Sequence, residues 1–134
     1  MSHSGRSGHH RRLDVRMKDE EAKKAQQIAD TLACEAWNER LAQLGGPLRP
    51  SPSLRAAING GFPWLRVECN GCKQHAWLDL RKVRRRPETP IFALEGALAC
   101  QPCRRGRTYG PRAAIEMLCT YDKQTGPSPY QERD

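Results

Sequence analysis

Two Cys-x-x-Cys units, Cys69-Asn-Gly-Cys72 and Cys100-Gln-Pro-Cys103, constrain this 134-residue chain more than any other feature. Two residues between cysteines let one tight turn aim both sulfurs at a single point. Two such turns supply four sulfurs, the ligand set of a tetrahedral structural Zn²⁺ site. A lone unit beside a βαβ pattern would suggest thiol–disulfide exchange, but here there are two units and no such pattern. A disulfide pair and a rubredoxin-like iron site use the same residues and stay open as alternatives. Zinc is preferred because nothing else in the sequence points to electron transfer. Cys72 and Cys100 are separated by 27 residues, more than the roughly 15–20 of the generic zinc pattern. A further element must therefore fit between the two turns.

Four protein thiolates close the coordination sphere and leave no position for an activated water, so the expected metal is structural. The sequence shows no Ser-His-Asp order, paired-carboxylate motif, P-loop or GxGxxG, and the expectation is that the protein is not an enzyme. His75, three residues past Cys72, is an alternative ligand. Cys34 and Cys119 lie outside the motif and read as small buried hydrophobes.

The chain reads as five segments. Residues 1–13, rich in Ser, Gly, His and Arg, are expected to form a disordered basic tail. Residues 14–46 hold one long helix, ended by Gly45-Gly46-Pro47. Cys34, Trp37, Leu41 and Leu44 line one of its faces, and Ala25, Ile28, Ala29, Leu32 and Ala36 line the adjacent one. Such a helix is marginal alone and needs its apolar faces covered. Residues 47–61 are a proline-rich linker with a short helical turn capped by Ser53. Residues 62–122 hold the cysteines. Trp64–Cys69 alternates as a strand, Ala76–Leu80 returns as a second, and Thr89-Pro90 opens a short helix with Thr89 as N-cap. Residues 113–119 are expected to close the unit as a strand, although their composition also allows a helix. Trp64 and Trp77 are expected to pack beside the metal site. Residues 123–134 are expected to fray. The fold class is α+β.

The segment from about 62 to 120, a strand–CNGC–strand half followed by a CQPC half, resembles zinc-ribbon domains. The run Asn59-Gly-Gly-Phe-Pro-Trp-Leu-Arg-Val-Glu-Cys-Asn-Gly-Cys72, with Thr89-Pro-Ile and Ala99-Cys-Gln-Pro-Cys-Arg104, is also similar to small zinc-ribbon-like proteins of alphaproteobacteria. The resemblance covers under half of the chain. It implies a bacterial cytoplasmic zinc module with no known reaction, of the kind that serves as a nucleic-acid or protein docking unit in transcription, replication or translation. The chain departs from commoner ribbons in having Lys73, not glycine, directly after Cys72, and in carrying a helix between the knuckles.

Charge points to a partner. The net charge is +8, with 23 Lys+Arg against 15 Asp+Glu. The surplus is +3 over residues 1–61 and +5 over 62–122. Basic surfaces attract polyanions by steering and counterion release. Arg81, Lys82, Arg84, Arg85 and Arg86 form one cluster. Arg104, Arg105, Arg107 and Arg112 form a second, with Tyr109 placed to stack on a base. Arginine's planar fork suits phosphate. If the metal joins the two knuckles, the clusters are expected to make one positive surface. The leading expectation is a zinc-stabilised nucleic-acid-binding protein, DNA-associated or transcription-related. The rivals are a protein-interaction adaptor, docking or dimerising through residues 14–44, and a thiol redox or metal-sensing protein. No apolar run approaches the ~20 residues of a spanning helix, and no signal-peptide h-region is present. The chain is expected in the cytoplasm, without a membrane partner.

Overall fold

Between residues 13 and 44 the chain contains no glycine or proline and is dense in Ala, Glu, Lys and Gln, all good helix formers. The computed structural model describes residues 4–45, 48–105, 111–123 and 130–132. Helix α1 runs Ser4–Leu44, starting ten residues before the expected boundary at 14. Residues 4–13, expected as part of a basic tail, fall within this helix, and residues 1–3 of that tail lie outside the described residues. Extending an existing helix costs only propagation, one hydrogen bond per added residue, and not a new nucleus. The helix ends as its glycine suggests: Gly45 takes a left-handed φ of 76° and donates its N–H to the Leu41 carbonyl at 2.9 Å.

Only part of α1 touches the rest of the molecule. Cys34, Trp37 and Leu41 are buried, as their spacing implies, while Leu44 is exposed. Every side chain from Asp14 to Ala29 is exposed, a stretch of about 24 Å at 1.5 Å per residue. The second apolar face stays uncovered, with Ile28 62% and Leu32 58% exposed. Helix α2 (Leu54–Asn59) crosses α1 and is capped by Ser53, whose hydroxyl accepts from the Ala56 amide. The two helices approach closely at Gly60, where an added Cβ would sit 2.8 Å from the Asp30 carbonyl carbon. Nearly buried Asp30 accepts from Gln26 and, at 2.8 Å, from Asn59, and Thr31 donates to the Gly60 carbonyl.

An antiparallel sheet follows, in the order β2–β1–β4. Strand β1 (Trp64–Cys69) lies between β2 (His75–Asp79) and β4 (Ala113–Cys119). Alternation turns Leu65, Val67 and Cys69 inward. The same period turns Trp64 and Trp77 outward, so they are half-buried on the outer face and not core beside the metal site. Their rings lie under the guanidinium groups of Arg81 and Arg66, respectively. The fully buried tryptophan is Trp37.

The helix expected after Thr89 is instead a 3₁₀ helix, Ile91–Ala97, with no side-chain cap. Its first amides are satisfied by the linker: Ile91 donates to the Pro52 carbonyl and Phe92 to the Ser51 hydroxyl. It leads into β3 (Leu98–Cys100) and a single turn, α3 (Gln101–Arg104). Strand β3 pairs with β5 (Tyr130–Glu132), so these three residues are ordered into a second sheet where fraying was expected. Residues 124–129 and 133–134 of that tail lie outside the described residues. The architecture is α+β.

Beyond the packing of Cys34, Trp37 and Leu41, a side chain of the helix bonds directly to the sheet. Asn38 of α1 donates to the Leu118 carbonyl at 2.9 Å and accepts from the Leu118 amide at 2.7 Å. It thus completes the backbone bonding of edge strand β4. Asn38→Ala leaves two buried backbone groups unpaired and is expected to destabilise the fold by about 1–3 kcal/mol. A urea titration against wild type, with unchanged slope and a lowered midpoint, checks this.

Candidate metal centre

The first Cys-x-x-Cys unit is the tip of the β1–β2 hairpin. Cys69 ends β1, and Lys73 closes the turn by donating its N–H to the Cys69 carbonyl at 2.9 Å. The second unit is the junction of β3 and α3, with Cys100 in the N-cap position and Pro102 in the first turn. The two junctions meet. The Cys69 and Cys103 sulfurs are 3.7 Å apart, and those of Cys72 and Cys100 3.9 Å apart. All four sulfurs lie within 4.8 Å of one another. A tetrahedron with metal–sulfur bonds of about 2.3 Å has edges of about 3.8 Å, so these cysteines fit a single metal ion. The same separations are almost twice the ~2.05 Å of a disulfide.

The sulfurs are not equivalent. Cys69 and Cys100 are buried, Cys103 half-buried and Cys72 exposed. Burial pushes the Cys69 thiol up, but the amides of Cys72 and Gly71 and the neighbouring thiols stabilise its thiolate and bring it down to about 7. The Gly71 amide donates to this sulfur at 3.3 Å. Cys103 retains its proton through contacts with the Cys72 and Cys69 sulfurs and is pushed up to about 12. Burial raises Cys100.

Gly71 is needed for clearance. A Cβ there would lie 2.5 Å from the Pro111 ring and 3.4 Å from the Cys103 sulfur. The left-handed position of the knuckle belongs to Lys73, at φ 62°. His75 is not drawn into the sulfur cluster: its Nδ1–H donates to Glu116 of β4. Cys34 and Cys119 are buried, as expected. Burial first, then the charges of Asp30 and Glu35, pushes Cys34 up to about 12, and burial raises Cys119. Both are inert thiols.

Among the described residues the two basic clusters stand at opposite ends of β2 and do not form one surface around the cysteines. Arg81 and Lys82 lie in a 3₁₀ turn, Leu80–Lys82, at the far end of β2 from Cys72, and Arg84, Arg85 and Arg86 follow it, exposed. Five residues of β2 at ~3.3 Å each hold this group about 16 Å from the knuckle. There it adjoins α2, whose Arg55 amide donates to the Pro87 carbonyl. Arg105 and Arg112 are exposed at the metal end, where the Arg112 carbonyl accepts from the Asn70 amide. Arg104 ends α3, and Arg107 and Tyr109 lie outside the described residues. Sequence reading missed Arg55, Lys23 and Lys24, which flank the far-end cluster. Arg55 and Asn59 line two adjoining clefts, one about 660 Å³ with Lys23 and Lys24, the other about 470 Å³ with Arg81 and Arg85.

Two outcomes test the centre. Cys100 and Cys103, both held above the ordinary thiol value of 9.0, are protonated near neutrality and must lose their protons to bind metal. Affinity should therefore fall at least about 100-fold for each unit the pH drops below 8, which competition with a chromophoric chelator measures. Gly71→Ala should weaken metal binding by about 1–3 kcal/mol through the Pro111 clash. Gly96→Ala, with open space around the added Cβ, should leave it unchanged. Comparison with protein-family models, with curated proteins and with solved structures finds no match to this chain, so the metal-binding reading rests on these four sulfurs and their geometry.

Proposed function

We propose that this protein is a zinc-stabilised module that binds nucleic acid. The metal is structural, because four thiolates fill a tetrahedron and leave no open position for substrate or water. Zinc suits four sulfurs in this shape and needs no redox partner. A reducing compartment such as the cytoplasm keeps the thiols available to it.

The observation that carries the nucleic-acid reading is the continuity of positive charge at the α2 end of the sheet. Lys23 and Lys24 of α1, Arg55 of α2, and Arg81 and Arg85 line two clefts with Arg55 common to both. Exposed Lys82, Arg84 and Arg86 extend the group. Residues distant in sequence thus share one face, as a phosphate backbone requires. Two acidic residues on this ground, Asp79 and Asp30, are already hydrogen-bonded. Asp79 is held by Arg81 through a bond at 2.9 Å and a second at 3.1 Å, and the Arg81 guanidinium holds its carboxyl below the usual range. Asp30 is held by Gln26 and Asn59.

A second reading, a protein-docking role, is favoured by the exposed stretch of α1, where Ile28 and Leu32 stand uncovered. Among the described residues no helix is long and apolar enough to cross a membrane.

Fluorescence anisotropy with labelled oligonucleotides at several salt concentrations tests the proposal. Affinity should fall linearly on a log–log plot, with a slope of about −0.7 to −0.9 per phosphate contacted. Arg84→Ala/Arg86→Ala should make that slope shallower by about one to two contacts. Binding that is absent at low salt, or flat with salt, rejects the proposal. A self-associated species in sedimentation would then favour the docking role.

A further inference from the structure

The tetrathiolate leaves a second group of metal-ligating side chains unused. Glu68 of β1, His75 of β2 and Glu116 of β4 lie on the outer face of the sheet. Each offers one donor atom, and these atoms all lie within 4.8 Å of one another. Three adjacent strands bring them together. Glu68 and His75 are cross-strand partners. Glu116 reaches the same point through an irregularity in β4: Val67 pairs with Ile115 and Arg66 with Met117. Glu116 is therefore the extra residue of a β-bulge, the device by which a strand re-aims one side chain.

Charge at this point is incompletely balanced. Glu116 accepts from His75 Nδ1 and forms an ion pair with Arg66 Nε at 3.5 Å. The half-buried Glu68 side chain makes no hydrogen bond or ion pair among the described residues. Of the two carboxylates only Glu116 is paired with a guanidinium. One imidazole nitrogen and two carboxylate oxygens are the donor set of a borderline divalent cation. Metal bonds of about 2.0–2.2 Å place donors roughly 3–3.5 Å apart, a contraction within reach of side-chain torsions. His75 is exposed, so solvent water can complete the coordination sphere. Arg66 is the competing cation, and its guanidinium also lies 5.6 Å from the Trp77 ring centre, where it can remain after releasing Glu116.

We propose that Glu68, His75 and Glu116 form a second, open binding site for a divalent cation of the Zn²⁺ class, separate from the four-cysteine cluster. Its ligands sit on the sheet, and three protein donors with open positions make it weaker than a tetrathiolate.

Calorimetric titration of the full chain with Zn²⁺ tests this, starting from protein already holding one equivalent, which the softer sulfurs take first. A second, weaker equivalent is expected. His75→Ala should abolish it. Glu116→Gln and Glu68→Gln should weaken it by at least the roughly 10- to 100-fold that lost supporting groups cost metal sites. Arg66→Gln should tighten it. The first equivalent should be retained throughout, and the circular dichroism of each variant should match wild type. Saturation at one equivalent overturns the proposal. So does a second equivalent that survives His75→Ala, since it would then sit elsewhere, for example on His3, His9 and His10.

Discussion

The convergence of four sulfurs decides where the two halves of the cysteine-bearing unit meet. Cys69 and Cys100 are both fully buried members of the core, next to Leu65, Val67 and Leu98. As neutral thiols they pack as small hydrophobes. As thiolates they need a cation, because an isolated buried charge is far too costly. A metal ion held by the four sulfurs would resolve this conflict and cross-link two turns separated by 27 residues. Small cores of this kind commonly need such a staple. The interior and the ligand set therefore have to be considered together.

The long helix attaches to this unit over a limited length. Trp37 is fully buried and donates its indole N–H to the Leu48 carbonyl at 3.1 Å, which pins the linker. Asn38, one residue on, pairs with Leu118 of β4. Asp30 and Thr31 bond to the end of α2. These contacts fall within three helical turns, and the stretch before them carries its apolar residues singly among charges. Tertiary packing thus orders one end of α1, and the other end relies on good helix formers.

Whatever depends on short-range chemistry was legible in the sequence. The ligand set, the glycine end of α1, the Ser53 cap, the alternation of β1 and the closing strand at 113–119 each follow from a few neighbouring residues. What was not legible depends on register. That Asn38 would serve an edge strand 80 residues away is invisible in a helix pattern, where it reads as one more polar position. The β4 bulge likewise decides that Glu116, not Ile115, joins Glu68 and His75, and one slipped residue reverses every side chain beyond it. Trp64 and Trp77 were misplaced for a related reason. Their size suggested core, but the alternation that buries Leu65 and Val67 requires Trp64 to face outward. Thr89 looked like a helix cap, yet the linker at Ser51 and Pro52 had already taken that function.

The separation of the basic groups bears on which of them would meet a polyanion. Four thiolates around a divalent ion carry a net charge of about −2, and exposed Lys73, Arg105 and Arg112 stand at that end. Their positive charge would have a local counterweight in a metal-bound tetrathiolate. At the α2 end the basic residues outnumber the acidic ones: Lys23, Lys24, Arg55, Arg81, Lys82, Arg84, Arg85 and Arg86 stand against Asp30, Asp79 and Glu88. A polyanion is attracted by uncompensated charge, and the potential that steers it falls off over about 8–10 Å at moderate salt. The two ends of the sheet lie farther apart than that, so each acts on a partner independently. On this ground the proposed nucleic-acid contact belongs to the α2 end, while Arg105 and Arg112 stand beside the negative charge that a metal-bound tetrathiolate would carry.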